Sequence, residues 1–413
     1  MGSSFPGSYY GKCLAFSTLP LIFIILLPHA NAVSPRKSVE TGMVRVLYVG
    51  EPVGGPGPYR FMAQDPFLEL TPVQATTAWY ELEVIKRSLR IYMPRSYGDL
   101  TGGQDIVVLS DANRALFTPM MLGWFADGVV EDGMGLLMTG GRESFGAYFG
   151  MPDWTPTSVG RILPVESTAQ ENGPDGRVRV TDSENVFMAS LPWESIGRYG
   201  YFFGQNPVRE REGSSVLAEL VPDAGGVNPL LVWSDVGEGR TFAMTSDWTP
   251  GGANLFLNWE FYPDFAINLM LFISRVEIPP DPFLVHSIRM GLEEYHMKRS
   301  FLVSLIEFVS RFGANPSSIG VMLNSADEGL KDANDLYVDY NFEDSLARIE
   351  GLVGELDAAT IEAIRIKDQA LLWIYIIEWA AVTGASLIAG VVLWALMVRR
   401  RLYREVGATR SNH

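Results

Sequence analysis

The chain has 413 residues, 47% of them hydrophobic and 19% charged, with 32 basic against 48 acidic side chains, one cysteine and four histidines. That length and composition suggest two folded units plus membrane segments and argue against global disorder. A single cysteine excludes a disulfide framework and a thiolate metal site within one chain. The net charge of −16 divides unevenly: residues 399–413 carry five arginines against Glu405, the first 32 residues carry only Lys12, and the stretch between holds −21. So acidic a surface repels phosphate backbones and argues against nucleic-acid binding, while favouring cations or basic partners.

In chain order, Lys12 precedes an apolar stretch, Cys13 to Leu27, and then Ala30-Asn31-Ala32. A positive n-region, an apolar h-region and an A-x-A site read as a secretory signal over residues 1–32, or as a signal anchor if uncleaved. Met43 to Val49 is a β-branched apolar run that reads as a buried strand, followed by a Gly/Pro-rich loop whose Pro56 and Pro58 rule out a dinucleotide fingerprint. Helical spacing covers Thr76 to Ile91, with Trp79, Leu82, Ile85 and Leu89 on one face. Asp105 to Ser110 is a second buried strand, Ala115 to Phe125 a helix, and Leu136 to Thr139 a third strand running into Gly140-Gly141. Pro229 to Trp233 and Arg240 to Ser246 read as a hairpin that supplies the last strands, and Asn254 to Ser274 as a closing helix interrupted or begun at Pro263. This alternation predicts an α/β fold with a parallel sheet and helices on both faces.

The runs GMGLLMTGGRESFG, SVGRILPV, LPW, YGYFFGQNPV, GEGRTFAMTSDW and NWEFYPDFAINLML resemble the class I glutamine amidotransferase-like domains of membrane-anchored prokaryotic proteins, which are related to ThuA-like domains. The resemblance covers residues 43–276 and implies a flavodoxin-like α/β sandwich with its site at the carboxyl ends of the strands. Family members with activity prime a cysteine with a histidine held by a carboxylate. Here the turn Met138 to Ser144 contains no cysteine, and no histidine lies between Val33 and Pro282. The expectation is therefore a catalytically degenerate domain with no catalytic residues, no cofactor and no metal site. The four histidines, at 29, 286, 296 and 413, all fall outside residues 43–276.

The remaining chemistry is carboxylate chemistry. Glu51, Asp111, Thr139, Gly140, Gly141, Glu143 and Asp247, with Trp248 as an aromatic wall, form the candidate ligand pocket. Carboxylates at strand ends suit a hydroxyl-rich small ligand or a cation, although no D-x-D-x-D-G loop points to calcium. The alternative is a cell-surface hydrolase in which those carboxylates serve as acid and base, since lysine is almost absent from the domain. Glu293-x-x-His296 occurs once, not twice as in di-iron bundles, and reads as a solvated helix face.

Asp281-Pro282 is an N-cap followed by a first-turn proline, opening a helix that runs to about Arg311 and stops at Gly313. A second helix covers Ser318 to Val338, and a third begins near Glu343 and continues into the membrane. Residues 281–370 thus form a helical stalk whose Leu284, Ile288, Leu292, Leu302, Leu305 and Val309 call for partner helices. The transmembrane helix spans residues 371–398, and its uncharged core Trp379 to Val398 is long enough to cross a hydrocarbon layer of about 30 Å. Residues 399–413 form a basic tail that the positive-inside rule places in the cytoplasm. The expected localisation is the cell membrane, single-pass, with the bulk of the chain extracytoplasmic. Its partners are the bilayer and proteins that meet the stalk and a small-residue face at Ala381, Ala385 and Ala389.

Overall fold

A computed structural model describes residues 34–410, except 52–56, 79, 147–149, 169–172, 224 and 312–314. The proposed signal segment, much of the Gly/Pro-rich loop, Trp79, Gly313, His29 and His413 lie outside the described residues. Every element below belongs to the unit Pro35–His413.

The first half alternates strand and helix: β1 (Val44–Gly50), α1 (Tyr59–Met62), β2 (Leu68–Gln74), α2 (Leu82–Tyr92), α3 (Tyr97–Gly103), β3 (Ile106–Ser110), α4 (Pro119–Val130) and β4 (Gly135–Thr139). Short elements follow: α5 (Ser158–Ile162), β5 (Val165–Ser167), β6 (Gly176–Val180), α6 (Val186–Ala189), β7 (Tyr201–Phe202) and β8 (Val208–Glu210). Then come β9 (Ser215–Pro222), β10 (Asn228–Val236), β11 (Gly239–Met244) and α7 (Tyr262–Ile273). The chain ends in three long helices, α8 (Pro282–Arg311), α9 (Ser317–Val338) and α10 (Phe342–Arg410).

Nine strands form one sheet in the order β2-β1-β3-β4-β11-β10-β9-β6-β7. The first five are parallel, in the doubly-wound order expected of a flavodoxin-like core. The sheet is mixed rather than parallel throughout, because β10, β9, β6 and β7 add antiparallel neighbours beyond β11. The central strands β3 and β4 are buried at every position, as strands covered on both faces must be. All twelve residues of α7 are buried as well, so this helix is the spine of the core.

The helical expectations shift in two places. The described residues before Leu82 are not helical: β2 ends at Gln74, residues 75–78 and 80–81 lie outside any helix, and α2 opens at Leu82. Residues 114–116 form one 3-10 turn, and α4 starts only at Pro119, where Thr118 accepts a hydrogen bond from the Met121 N–H and proline occupies the first turn. At α8 the Asp281 carboxylate accepts from the Phe283 and Leu284 N–H groups, and the helix opens at Pro282 as its cap requires.

The region after Pro282 is a packed three-helix bundle that satisfies its own apolar residues. Ile288, Leu292, Leu302 and Val309 are buried against α9 and α10, and Leu284 and Leu305 are partly buried, so none of them needs a partner chain for burial. Met297, Phe301 and Ile361 remain exposed. The bundle shares its core with the α/β part. Arg289 crosses that junction, fully buried, and donates to Asp65 at 3.0 Å, Asp264 at 2.8 Å, Asn268 at 2.9 Å and the Tyr337 hydroxyl at 3.0 Å. His286 bonds Asp264 at 2.7 Å from the next turn of α8. The continuous helix α10 leaves the bundle and carries an apolar, largely exposed run from Leu371 to Val398, long and apolar enough to cross a membrane by length and composition.

Removing Arg289 strands two buried carboxylates. Arg289→Ala is expected to lower the unfolding free energy of the full chain in detergent by about 3–5 kcal/mol in a denaturant titration. A loss under about 1 kcal/mol would show that the junction does not depend on it.

Candidate functional site

The parallel strands β1, β3, β4 and β11 all end on one side of the sheet, and the residues just beyond them line a cavity of about 400 Å³. Glu51 follows β1, Asp111 follows β3, Gly141 and Arg142 follow β4, and Asp247 follows β11. Phe203, Gln205 and Asn206, from the loop between β7 and β8, complete the wall with Gly251 and Gly252. The cavity lies where β1 and β3 part on either side of the first crossover, the switch point at which open α/β sheets bind ligands.

The backbone is shaped to let these ends converge. A Cβ on Gly50, whose φ is +130°, would fall 1.8 Å from the Ser110 carbonyl oxygen. Gly141, at φ +145°, would drive a Cβ to 2.4 Å from the Asp111 carboxylate. Asp111 itself adopts a left-handed conformation, φ +46°, which aspartate tolerates better than most residues. Its carboxylate then accepts from the Glu143 backbone N–H. Asn206 ties the turn from the other side, accepting from the Gly141 N–H at 2.9 Å and donating to the Gly141 carbonyl at 3.0 Å.

Three carboxylates meet here, Glu51 and Asp111 buried and Asp247 half-buried. Glu51 and Asp111 are each 5% exposed. Burial pushes the Glu51 carboxyl well above the ordinary carboxylate range, and the charges of Asp247 and Asp111 push it further. Burial raises Asp111 to about 7 against the donated Glu143 N–H, with Asp247 adding. Asp247 rises to about 6, again through burial, held back by hydrogen bonds from Thr249, Trp248 and Gly252. Hydrogen-bond geometry leads to the same conclusion. The Thr249 hydroxyl lies 2.8 Å from Glu51 Oε1 and 2.9 Å from Asp247 Oδ1. It has one proton to donate, so with both carboxyls ionised only one of the two contacts is satisfied, and a proton on either Glu51 or Asp247 satisfies the other.

Of the residues singled out from sequence, Glu51, Asp111, Gly141 and Asp247 come together on the cavity, and Asp247 also caps its own turn by accepting from the Thr249 N–H at 2.7 Å. Gly140 sits behind the wall, donating its N–H to Met244 and Ser246. Glu143, Thr139 and Trp248 do not line the cavity. Glu143 is fully buried and points away, where its carboxylate accepts from the Thr77 N–H at 2.8 Å, the Thr77 hydroxyl and Asn113 Nδ2 at 2.8 Å. It braces the loop before α2. Thr139 is buried beneath the site beside Ser110. Trp248 is buried too, donating to Ser110 Oγ at 2.8 Å and stacking near Tyr48, so the exposed aromatic of the site is Phe203 instead. Phe203, Gln205 and Asn206 also line the cavity, and the local pattern of the YGYFFGQNPV run carries no sign of it. His286 is at the bundle junction, against Asp264 and the Phe261 ring, and not on the cavity.

Residues 105–275 match the family model described as "Putative glutamine amidotransferase". The match starts at the head of β3, so β1, β2 and Glu51 precede it. No curated protein sequence matches the chain. Among solved structures, the cytoplasmic protein STM1381 of Salmonella typhimurium LT2 is 22% identical over 56% of this chain and 99% of its own, with a TM-score of 0.42. The Salmonella typhimurium cytoplasmic protein STM3548 is 21% identical over the same shares, with a TM-score of 0.43. A β-galactosidase from Bacillus circulans sp. alkalophilus is 12% identical over 58% of this chain and 32% of its own, with a TM-score of 0.33.

Two outcomes follow from the carboxylates. The folded protein holds protons on Asp111 and Asp247 that the unfolded chain releases near pH 4, so its stability is full below that pH and falls as pH rises through about 6 and 7. Unfolding free energy should drop by about 2–4 kcal/mol between about pH 4 and pH 8, and Asp111→Asn should flatten the profile. A wild-type profile that rises with pH over this window would contradict the site as described. Glu143→Ala, by contrast, should cost about 2–3 kcal/mol of stability by leaving Thr77 and Asn113 without their acceptor. An unchanged denaturation midpoint would remove its bracing role.

Proposed function

We propose that this chain, whose residues 105–275 match the model described as "Putative glutamine amidotransferase", is a membrane-anchored, extracytoplasmic binding protein that does not perform glutaminase chemistry. The observation that carries this reading is the cavity itself: it sits at the switch point of the sheet, is lined by Glu51, Asp111 and Asp247, and has neither cysteine nor histidine among its lining residues. Without a thiolate and its imidazole partner, the family's acyl transfer has no nucleophile. A pocket of this size with a few fixed polar groups suits a small polar ligand, hydroxyl-rich or cationic.

The anchoring part of the reading rests on α10 and its arginines. The apolar run 371–398 followed by Arg399, Arg400 and Arg401 orients the tail to the cytoplasm and the cavity to the outside. Residues 1–32, read as an export signal, agree with that orientation. Met297, Phe301 and Ile361 are among the exposed apolar residues of the bundle, and these and the span are open to protein partners.

Purified full-length protein incubated with glutamine should release no ammonia, while the polyol sorbitol raises its Tm in the wild type and not in Asp247→Asn. In intact cells, external protease should remove the α/β domain and spare a carboxyl-terminal tag. Glutamine turnover would overturn the binding reading, release of nitrophenol from a nitrophenyl glycoside or ester would favour the hydrolase alternative, and loss of the tag would overturn the topology.

A further inference from the structure

The cavity is short of donors. Glu51, Asp111 and Asp247 present acceptor oxygens from three strand ends, and Arg142 is the one cation among its lining residues. Gln205 lines the same cavity and is 5% exposed. Its Nε2 is committed to the Pro229 carbonyl and to Thr245 Oγ1 at 2.7 Å, which settles the orientation of the amide. The Gln205 carbonyl oxygen is left buried with no partner. Buried polar atoms without partners are uncommon, and one in the wall of an acidic cavity points to a missing donor.

Two observations narrow the donor's chemistry. Glu51 and Asp247 both reach the Thr249 hydroxyl, at 2.8 and 2.9 Å, and Asp111 lines the same cavity, while among the described residues no three such side chains are placed to hold a metal ion. Thr249 offers one proton to two carboxyls, Glu51 and Asp247, so with both ionised one of the two contacts is left without a proton. The groups facing them bring no net positive charge. Arg142 and Glu143 lie beside Asp111 with opposite charges, and Tyr48 and Tyr262 beside Glu51 and Asp247 are neutral phenols. A primary ammonium is compact, carries three donors and matches an array of acceptors better than a planar guanidinium does. Phe203, 43% exposed at the rim, offers an apolar face to the rest of such a ligand.

We propose that this cavity takes a small hydroxyl-bearing primary amine, its ammonium seated among Glu51, Asp111 and Asp247. The inference rests on the reading that the cavity binds a small polar ligand, and it adds the charge. Seating the cation favours the ionised carboxylates, so each binding event displaces protons from the acid cluster into solvent.

The test uses the full chain in detergent and two probes of matched shape, glucamine (1-amino-1-deoxysorbitol) and sorbitol, in calorimetric titrations with buffers of different ionisation enthalpy. Glucamine should bind roughly tenfold or more tighter than sorbitol, with net proton release, and its affinity should rise from about pH 5.5 to about pH 7.5. Asp111→Asn should lose most of that preference while still binding sorbitol. Equal binding of the two probes with no proton release overturns the amine and leaves the ligand-binding reading standing. Binding of neither probe overturns both.

Discussion

Three carboxyl groups confined to one cavity at the ends of β1, β3 and β11 set the terms for the rest of this site. Like charges brought together out of water repel, and each raises the proton affinity of the others. The surrounding features read as accommodation of that crowding. The Asp111 backbone turns left-handed to aim its carboxylate at the Glu143 N–H, and Gly141 gives up a side chain so that Asp111 can approach. Thr249 bridges Glu51 and Asp247 through one hydroxyl. None of this stabilises the fold by itself. The wholly buried α7 and the doubly covered strands supply the apolar burial that tolerates it.

The junction around Arg289 shows what a balanced buried cluster looks like in the same molecule. There two carboxylates, Asp65 and Asp264, meet a guanidinium that reaches both, with Asn268 and Tyr337 completing its donors' partners except at Nη2. The adjoining space is only about 10 Å³, so the cluster is packed and has no room for a ligand. The strand-end cluster differs in having about 400 Å³ beside it and one guanidinium, Arg142, against three carboxylates among its lining residues. That contrast separates a structural ion network from a binding site, and perturbed acids in a cleft fall on the functional side of it.

Much of the fold was legible because its strands are unbroken apolar runs. Val44–Gly50, Ile106–Ser110 and Gly135–Thr139 announce themselves, as does the hairpin turning at Gly237. The Asp281-Pro282 cap placed the start of α8 correctly because a local hydrogen bond sets it. The edge strand β2 was not legible: its sequence LELTPVQ includes Pro72 and polar positions, which an edge tolerates and a pattern search rejects. Of the site, proximity to strand ends was readable and side-chain direction was not. Asp111 and Asp247 line the cavity while Glu143 and Trp248, equally near in sequence, turn inward to brace Thr77 and Ser110. The loop Phe203–Asn206 reaches the cavity through pairing at the far side of the sheet, information that no local pattern holds. Likewise the bundle's apolar residues looked unpartnered only because the return of α9 and α10 along α8 is a tertiary fact.

The claim most open to direct measurement is that Glu51 keeps its proton above the ordinary carboxylate range. Infrared titration of the full chain, following the carbonyl stretch of carboxylic acids labelled with carbon-13 at glutamate, resolves this without reference to any ligand. The account predicts a protonated glutamate band that persists above the ordinary carboxylate range and disappears in Glu51→Gln. Complete ionisation of every glutamate in the ordinary carboxylate range, or a persistent band unaffected by Glu51→Gln, would contradict it.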